Sequence, residues 1–285
     1  MLNRVQHDKK MKNIKISILG CGWLGLPLAK KLLGNDYEVK GSTTSESKLE
    51  VFKNVGISPF LIKLEENEIT GNLESFLANT AVLIVDIPPK LRGNNKENFV
   101  QKIKNLIPFV ENSKVKKVLF VSSTSVYGDT FPIEERDEES ALNPDTEGGK
   151  QLVEVEKLLQ SNENFQTTIL RFGGLIGPER NPAAFLAGKE NVANPEAPIN
   201  FIHQEDCIGI ICAMLRQVEN ETWNWNDTFN AVAPNHPNRE NYYTEKALEM
   251  NLKVPTFVKD STSIGKKISS KKLQNKLNYI FTKEI

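Results

Sequence analysis

The first residues whose spacing could do chemistry are three glycines, in the run Gly20-Cys21-Gly22-Trp23-Leu24-Gly25. They follow an apolar, β-branched segment and open one of helical spacing, the setting in which such a run binds a dinucleotide. Gly20 permits a tight turn, Gly22 lets the backbone approach a pyrophosphate, and Gly25 lets the helix pack against its strand. The pyrophosphate would rest on the free N–H groups at the helix start. Trp23 and Leu24, inside the run, therefore count with the glycines as cofactor contacts. The ring of Trp23, like the Trp223/Trp225 pair, reads as packing rather than base stacking. Cys21 reads as a small residue tolerated at a variable position.

The nucleotide's second half is read at the end of the next strand-like segment. A carboxylate there would hold the ribose 2′-OH of NAD. This chain has Thr43, Thr44 and Ser45 in that place, with Lys48 one turn on and no Asp. Hydroxyls and a lysine do not repel a 2′-phosphate, so the cofactor is expected to be NADP or NAD, with NADP favoured.

A second chemical cluster lies in Val121-Ser122-Ser123-Thr124-Ser125-Val126-Tyr127-Gly128, followed by Lys150 in Thr146-Glu147-Gly148-Gly149-Lys150. Hydroxyls at the carboxyl end of a central strand lie where open α/β sheets bind ligands. Arg180 could pin a phosphate or carboxylate through its bidentate fork, or fix its loop by pairing with Glu179. His203 reads as the anchor of the turn before a helix, with Asp206 near its N-cap.

These groups must be positioned by alternating elements. Strand-like runs at 13–19, 37–42, 59–64, 81–87, 115–123 and 167–172 alternate with helical spacing at 23–33, 45–55, 73–79, 96–111 and 146–160. That alternation predicts an α/β fold, a doubly wound parallel sheet of the Rossmann type. The NAD(P)-binding domain is expected over 12–175 and a smaller substrate-binding part over 176–285, with 201–232 returning to the Rossmann sheet. The acidic stretch Glu134–Glu139 and the basic tail (Lys266, Lys267, Lys271, Lys272, Lys276) read as solvated.

Composition narrows the class further. The 285 residues hold 36 Lys+Arg against 36 Asp+Glu, a net charge of zero, which disfavours nucleic acid as a partner. No run reaches the roughly 18 apolar residues of a membrane span. The three cysteines match no metal or disulfide pattern, so no metal is expected. Met1–Lys12 carry no apolar leader, and a cytoplasmic location is expected. Met11 stands directly before the first strand, so residues 1–10 read as a disordered extension or an early start.

Taken in order, several segments resemble the extended and atypical short-chain dehydrogenases/reductases, the NAD-dependent epimerases and dehydratases of nucleotide sugars. They are the glycine loop, Ser122–Gly128, the helix lysine, Leu170–Arg180, Asn200–Asp206 and Phe229–Pro234. The resemblance runs from about Ile14 to near the end of the chain. It implies that Ser123 polarises a substrate oxygen, with Ser125 beside it, and that Lys150 holds the nicotinamide ribose. The family's general acid–base is a tyrosine four residues before the lysine, and here that position is Thr146. A threonine hydroxyl is too weakly acidic to trade protons near neutral pH. Tyr127, a water on Ser123 and Ser125, or an acid of the 134–139 loop would have to serve instead.

A second departure is Ile87-Pro88-Pro89, where many members carry a small Gly/Ala turn; Ile87 and Pro88 would pass beside the nicotinamide ribose. Two functions stay open: an NAD(P)-dependent epimerase, dehydratase or reductase acting on a small polar or sugar-nucleotide substrate, or a catalytically silent dinucleotide-binding module. In relatives the helices at 96–111 and 146–160 form a dimer, so a homodimer through them is an expectation here.

Overall fold

The computed structural model describes residues 14–89, 91, 97–259 and 262–285. The 1–10 segment lies outside them. Seven parallel strands form one sheet: β1 (Lys15–Leu19), β2 (Glu38–Thr43), β3 (Ser58–Leu61), β4 (Val82–Val85), β5 (Lys117–Ser123), β6 (Gln166–Phe172) and β7 (Thr228–Ala231). Their spatial order is β7-β6-β5-β4-β1-β2-β3. The order reverses between β1 and β4, which opens a crevice at the carboxyl edge where such sheets take ligands.

Side chains alternate across a strand, and both faces of this sheet are covered. Ile16, Ile18, Ile84, Leu119 and Leu170 face helices α1 (Gly25–Leu33) and α7 (Gln204–Glu219) through Leu28, Leu32, Ile210 and Ile211. The residues between them, such as Leu19, Leu83, Val85, Phe120 and Ile169, face the other way. There they meet Phe76, Ile103 and Leu152 of α3 (Leu73–Leu77), α4 (Phe99–Asn112) and α5 (Glu147–Gln160). Burial on both sides is why these strands read as unbroken apolar runs. α2 (Ser47–Asn54) covers β3, and Phe52 is its buried contact.

One expected strand is two pieces. The 59–64 run ends as β3 at Leu61, and Lys63-Leu64 then pairs antiparallel with Ile69-Thr70. Gly71 makes that return: a Cβ there would lie 2.1 Å from the Leu61 carbonyl oxygen. After β6 the chain forms short pieces. Gly174–Ile176 pairs parallel with Phe201–His203, flanked by α6 (Ala183–Leu186) and α8 (Arg239–Glu249). Helix α9 (Lys271–Leu277) packs on β7 and buries Leu273 completely.

The acidic stretch and the basic tail are not simply solvated, because they bind each other. Glu134–Arg136 pairs in parallel with Lys266–Ile268. Lys271 reaches Glu135 at 3.3 Å; beyond that pairing, Lys266 reaches Asp129 at 2.9 Å, Lys272 reaches Asp227 at 2.6 Å, and Glu138 accepts the Asn230 amide of edge strand β7 at 2.6 Å. The end of the chain is tied down too: buried Asp206 accepts from Tyr279 Oη (2.9 Å) and the Thr282 amide (2.9 Å).

The half of the sheet beyond β4 is held by one polar knot. Arg171 of β6 and Glu156 of α5 are 4% and 2% exposed. The guanidinium meets both carboxylate oxygens, with Nη2 to Oε2 at 2.6 Å and Nε to Oε1 at 3.0 Å. Ser122 donates to the same carboxylate at 2.5 Å, and Arg171 Nη1 donates to Tyr127 Oη at 2.6 Å. Tyr127 passes its own proton to Asn230 Oδ1 at 3.0 Å. Four elements are joined this way. Arg171→Met strands a buried carboxylate, and urea denaturation should show a loss of about 3–5 kcal/mol, against about 1 kcal/mol for Tyr127→Phe.

Candidate dinucleotide site

The register brings the candidate residues to the carboxyl edge. Leu19 pairs with Val85 and Val85 with Phe120, so the glycine loop and Asp86 leave the sheet side by side. Ser123 ends β5 three residues beyond Phe120, about 10 Å farther out at the rise of a strand.

Two of the three glycines are required by packing. Gly20 has φ +109°, and a Cβ on it would fall 2.3 Å from the Asp86 carbonyl oxygen and 2.9 Å from Ile87 Cγ2. A Cβ on Gly25 would fall 2.3 Å from the Gly20 carbonyl oxygen. Around Gly22 nothing lies within 4 Å of that position. The open side of the loop is thus at Gly22, beside the amides of Trp23 and Leu24 that lead into α1; within the helix the Leu26 amide is taken by the Gly22 carbonyl at 3.1 Å, and the Gly25 amide faces Asp86. The loop is pinned from β2, where Ser42 Oγ accepts the Gly20 amide at 2.8 Å and the Ser42 carbonyl accepts that of Cys21 at 2.9 Å.

Beyond β2, Thr43 is buried and its hydroxyl accepts the Ser45 amide at 3.1 Å. Thr44 is exposed, and Ser45 Oγ lies 2.9 Å from Ser47 Oγ. Ile87 walls the loop, whereas Pro88 is exposed at its rim.

Asp86 escaped the sequence reading. Its carboxylate lies beneath the start of α1 and faces the Gly25 amide. Burial pushes it from 3.8 up to about 8, against the pull of the Gly25 N–H and of Arg180. Burial, with Asp86 adding to it, likewise holds the Cys21 thiol up at about 12, so Cys21 is no nucleophile.

At the second cluster, Ser123 caps a 3₁₀ turn (Thr124–Val126), its Oγ accepting the Ser125 amide at 3.2 Å. Helix α5 begins against that turn: a Cβ on Gly149 would sit 2.3 Å from the Ser125 carbonyl oxygen. Lys150 follows and is exposed. Thr146 is the N-cap of α5, its hydroxyl accepting the Gly149 amide at 3.1 Å. That use explains a threonine there in terms of helix initiation.

Tyr127 needs a correction. It is 1% exposed, and its hydroxyl is bound to Arg171 and Asn230, so the phenol faces the core and not the cleft. Burial raises its pKa further, against Arg171. Of the acids of 134–139, Glu135 faces the tail and Glu138 faces β7, whereas Glu134 pairs with Arg136 and Asp137 caps its own turn. The guanidinium of Arg180 lies over the Trp23 ring, 4.4 Å from the centroid. His203 caps α7, its Nδ1 accepting the Glu205 amide at 3.2 Å.

Sheet order, glycine loop and crevice together define a Rossmann-type dinucleotide-binding fold. The comparisons carry this further: residues 16–226 match the model of the NAD dependent epimerase/dehydratase family, and the chain belongs to that family. It is 32% identical over 268 residues to Protein YeeZ of Escherichia coli (strain K12), covering 93% of this chain and 94% of that protein. Among solved structures it is similar to UDP-N-acetylglucosamine 4-epimerase from Bacillus cereus, with TM-score 0.73 and 16% identity over 95% of this chain and 92% of that one. It is also similar to a short-chain dehydrogenase/reductase superfamily protein from Agrobacterium tumefaciens with bound NAD, with TM-score 0.72 and 16% identity over 95% and 93%. At such identities these two structures speak for the fold. Among the described residues no helix is long and apolar enough to cross a membrane.

Asp86 makes stability depend on pH. The folded carboxyl holds its proton up to about 8, while an unfolded one releases it near 3.8. The folded state therefore binds more protons over that window, and stability falls as pH rises through it. Thermal melts at about pH 5 and about pH 9 should show a smaller alkaline loss for Asp86→Asn than for wild type. Equal losses in the two proteins would contradict the assignment.

Proposed function

We propose that the protein is an NAD(P)-dependent enzyme of the epimerase, dehydratase or reductase type, acting on a small polar or sugar-nucleotide substrate. The observation that carries the reading is the unfilled space at Gly22, beside the amides that open α1. A backbone approach of that kind suits a pyrophosphate. Gly20, Gly22, Trp23, Leu24 and Gly25 would hold the diphosphate, Thr43, Thr44 and Ser45 the adenosine ribose, and Ile87, Pro88 and Lys150 the nicotinamide end. Hydroxyls at Thr43, Thr44 and Ser45 at the end of β2, with no Asp among them, support NADP over NAD.

Bound there, the nicotinamide would supply hydride transfer. The chain's own residues then have three tasks. Ser123 and Ser125 orient a substrate hydroxyl or carbonyl at the end of β5. Lys150 binds a ribose and lends positive charge. Proton exchange falls to water held by Ser123 and Ser125, because Tyr127 is turned inward and the Thr146 hydroxyl, the N-cap of α5, is too weakly acidic. That cap also favours a second reading, a dinucleotide-binding module without turnover.

Calorimetric titration with NADPH, NADP, NADH and NAD tests the binding. Micromolar affinity is expected, lost in Gly22→Asp without a lower melting temperature because the added side chain meets open space. Undiminished affinity in that variant would contradict the loop assignment. Thr146→Tyr separates the two functions. If the protein is an enzyme, the variant should show a raised rate with a UDP-sugar or a reducible analogue. An inert variant that still binds cofactor would favour the silent module.

A further inference from the structure

We propose that Arg180 is a clamp for the diphosphate of the bound dinucleotide, holding it at the glycine loop from its place on the Trp23 ring. The inference rests on the dinucleotide reading above and assigns this arginine to the cofactor rather than to the substrate.

The Gly177–Arg180 turn is built onto the glycine loop. Trp23 Nε1 donates to the Pro178 carbonyl at 2.8 Å, and Gln204 Nε2 donates to the Trp23 carbonyl at 2.7 Å. The turn is closed by reciprocal backbone bonds, Gly177 N to Arg180 O at 3.1 Å and Arg180 N to Gly177 O at 3.0 Å. A Cβ on Gly177 would lie 3.3 Å from the Trp23 ring, so glycine admits the close approach. Glu179 takes φ +60°, which spaces Pro178 and Arg180 on the same ring. Three residues of one turn thus serve contact with Trp23, the residue that follows Gly22.

The chemistry selects an anion. Arg180 is exposed, and among the described residues it makes no salt bridge; the acid its charge acts on is Asp86, whose pKa it pulls down against burial. Stacking on Trp23 immobilises the guanidinium plane while leaving N–H groups at its edge to donate. The loop itself, Gly20 to Gly25, carries no cationic side chain, and the basic residues of α1 lie in its last turn. The glycine loop therefore offers a diphosphate no cation of its own, and Arg180, stacked on Trp23 of that loop, supplies a full charge. A substrate diphosphate is the other possible source of this anion. The anchoring of Arg180 to the glycine loop favours the cofactor's.

The test is binding of NADH, ADP, adenosine and UDP-glucose to wild type, Arg180→Ala and Arg180→Gln. Arg180→Gln keeps a planar group over Trp23 should the alanine variant unfold. Loss of a charge-assisted phosphate contact should weaken NADH and ADP about 10- to 100-fold in both variants and leave adenosine unchanged. Wild-type affinity for NADH in a variant that melts like wild type would overturn the clamp and leave the dinucleotide reading standing. A loss confined to UDP-glucose would assign Arg180 to the substrate and overturn the proposal. Arg180-dependent binding of ADP by a wild type that binds neither NADH nor NADPH would retain a diphosphate clamp and overturn the dinucleotide reading instead.

Discussion

The contact between the glycine loop and the end of β4 is the constraint on which the site depends. β1 and β4 are neighbours whose connections diverge, so their carboxyl ends must part there. The loop turns so tightly against Asp86 that neither Gly20 nor Gly25 has room for a methyl group. Because packing consumes those two positions, the third glycine alone faces outward. That asymmetry turns a strand–helix turn into a cradle. The same closeness places a carboxyl under α1, where burial keeps it protonated to about 8. A carboxylate charged at lower pH would repel the phosphates the loop is shaped to receive. Arg180 pulls the other way, lowering the pKa that burial raises.

The second half of the sheet is stabilised differently. There a buried arginine–glutamate pair, extended through Ser122, Tyr127 and Asn230, ties β5, α5, β6 and β7 together. Its geometry answers the desolvation of two charges with several charge-assisted bonds. Through Ser122 the knot also reaches the residue next to Ser123 at the end of β5. It also accounts for Tyr127, whose phenol is a structural hydrogen-bond relay.

Much of this was legible because it follows from period and spacing. Unbroken apolar runs marked strands buried on both faces, and the glycine run placed the turn that joins β1 to α1. What escaped depended on tertiary meetings. Asp86 is an acid after an apolar run, and nothing local says that α1 will close over it. Arg171 and Glu156 lie 15 residues apart, and only β6 pairing with β5 shows that they share a site. The acidic stretch and the basic tail read as solvated because each is charged alone, and parallel pairing across 266–268 made them partners. Arg180 was legible as an anion-seeking residue, but its perch on Trp23, 157 positions away in sequence by their numbers (180 − 23), was not.

The central claim is that the amides opening α1 receive the diphosphate. Amide hydrogen exchange at residues 22–25, followed in the free protein and with saturating NADPH, tests it most directly. The account predicts marked slowing at Trp23 and Leu24, with little change in the buried strands. Unaltered exchange at those amides, with protection appearing elsewhere, would contradict it.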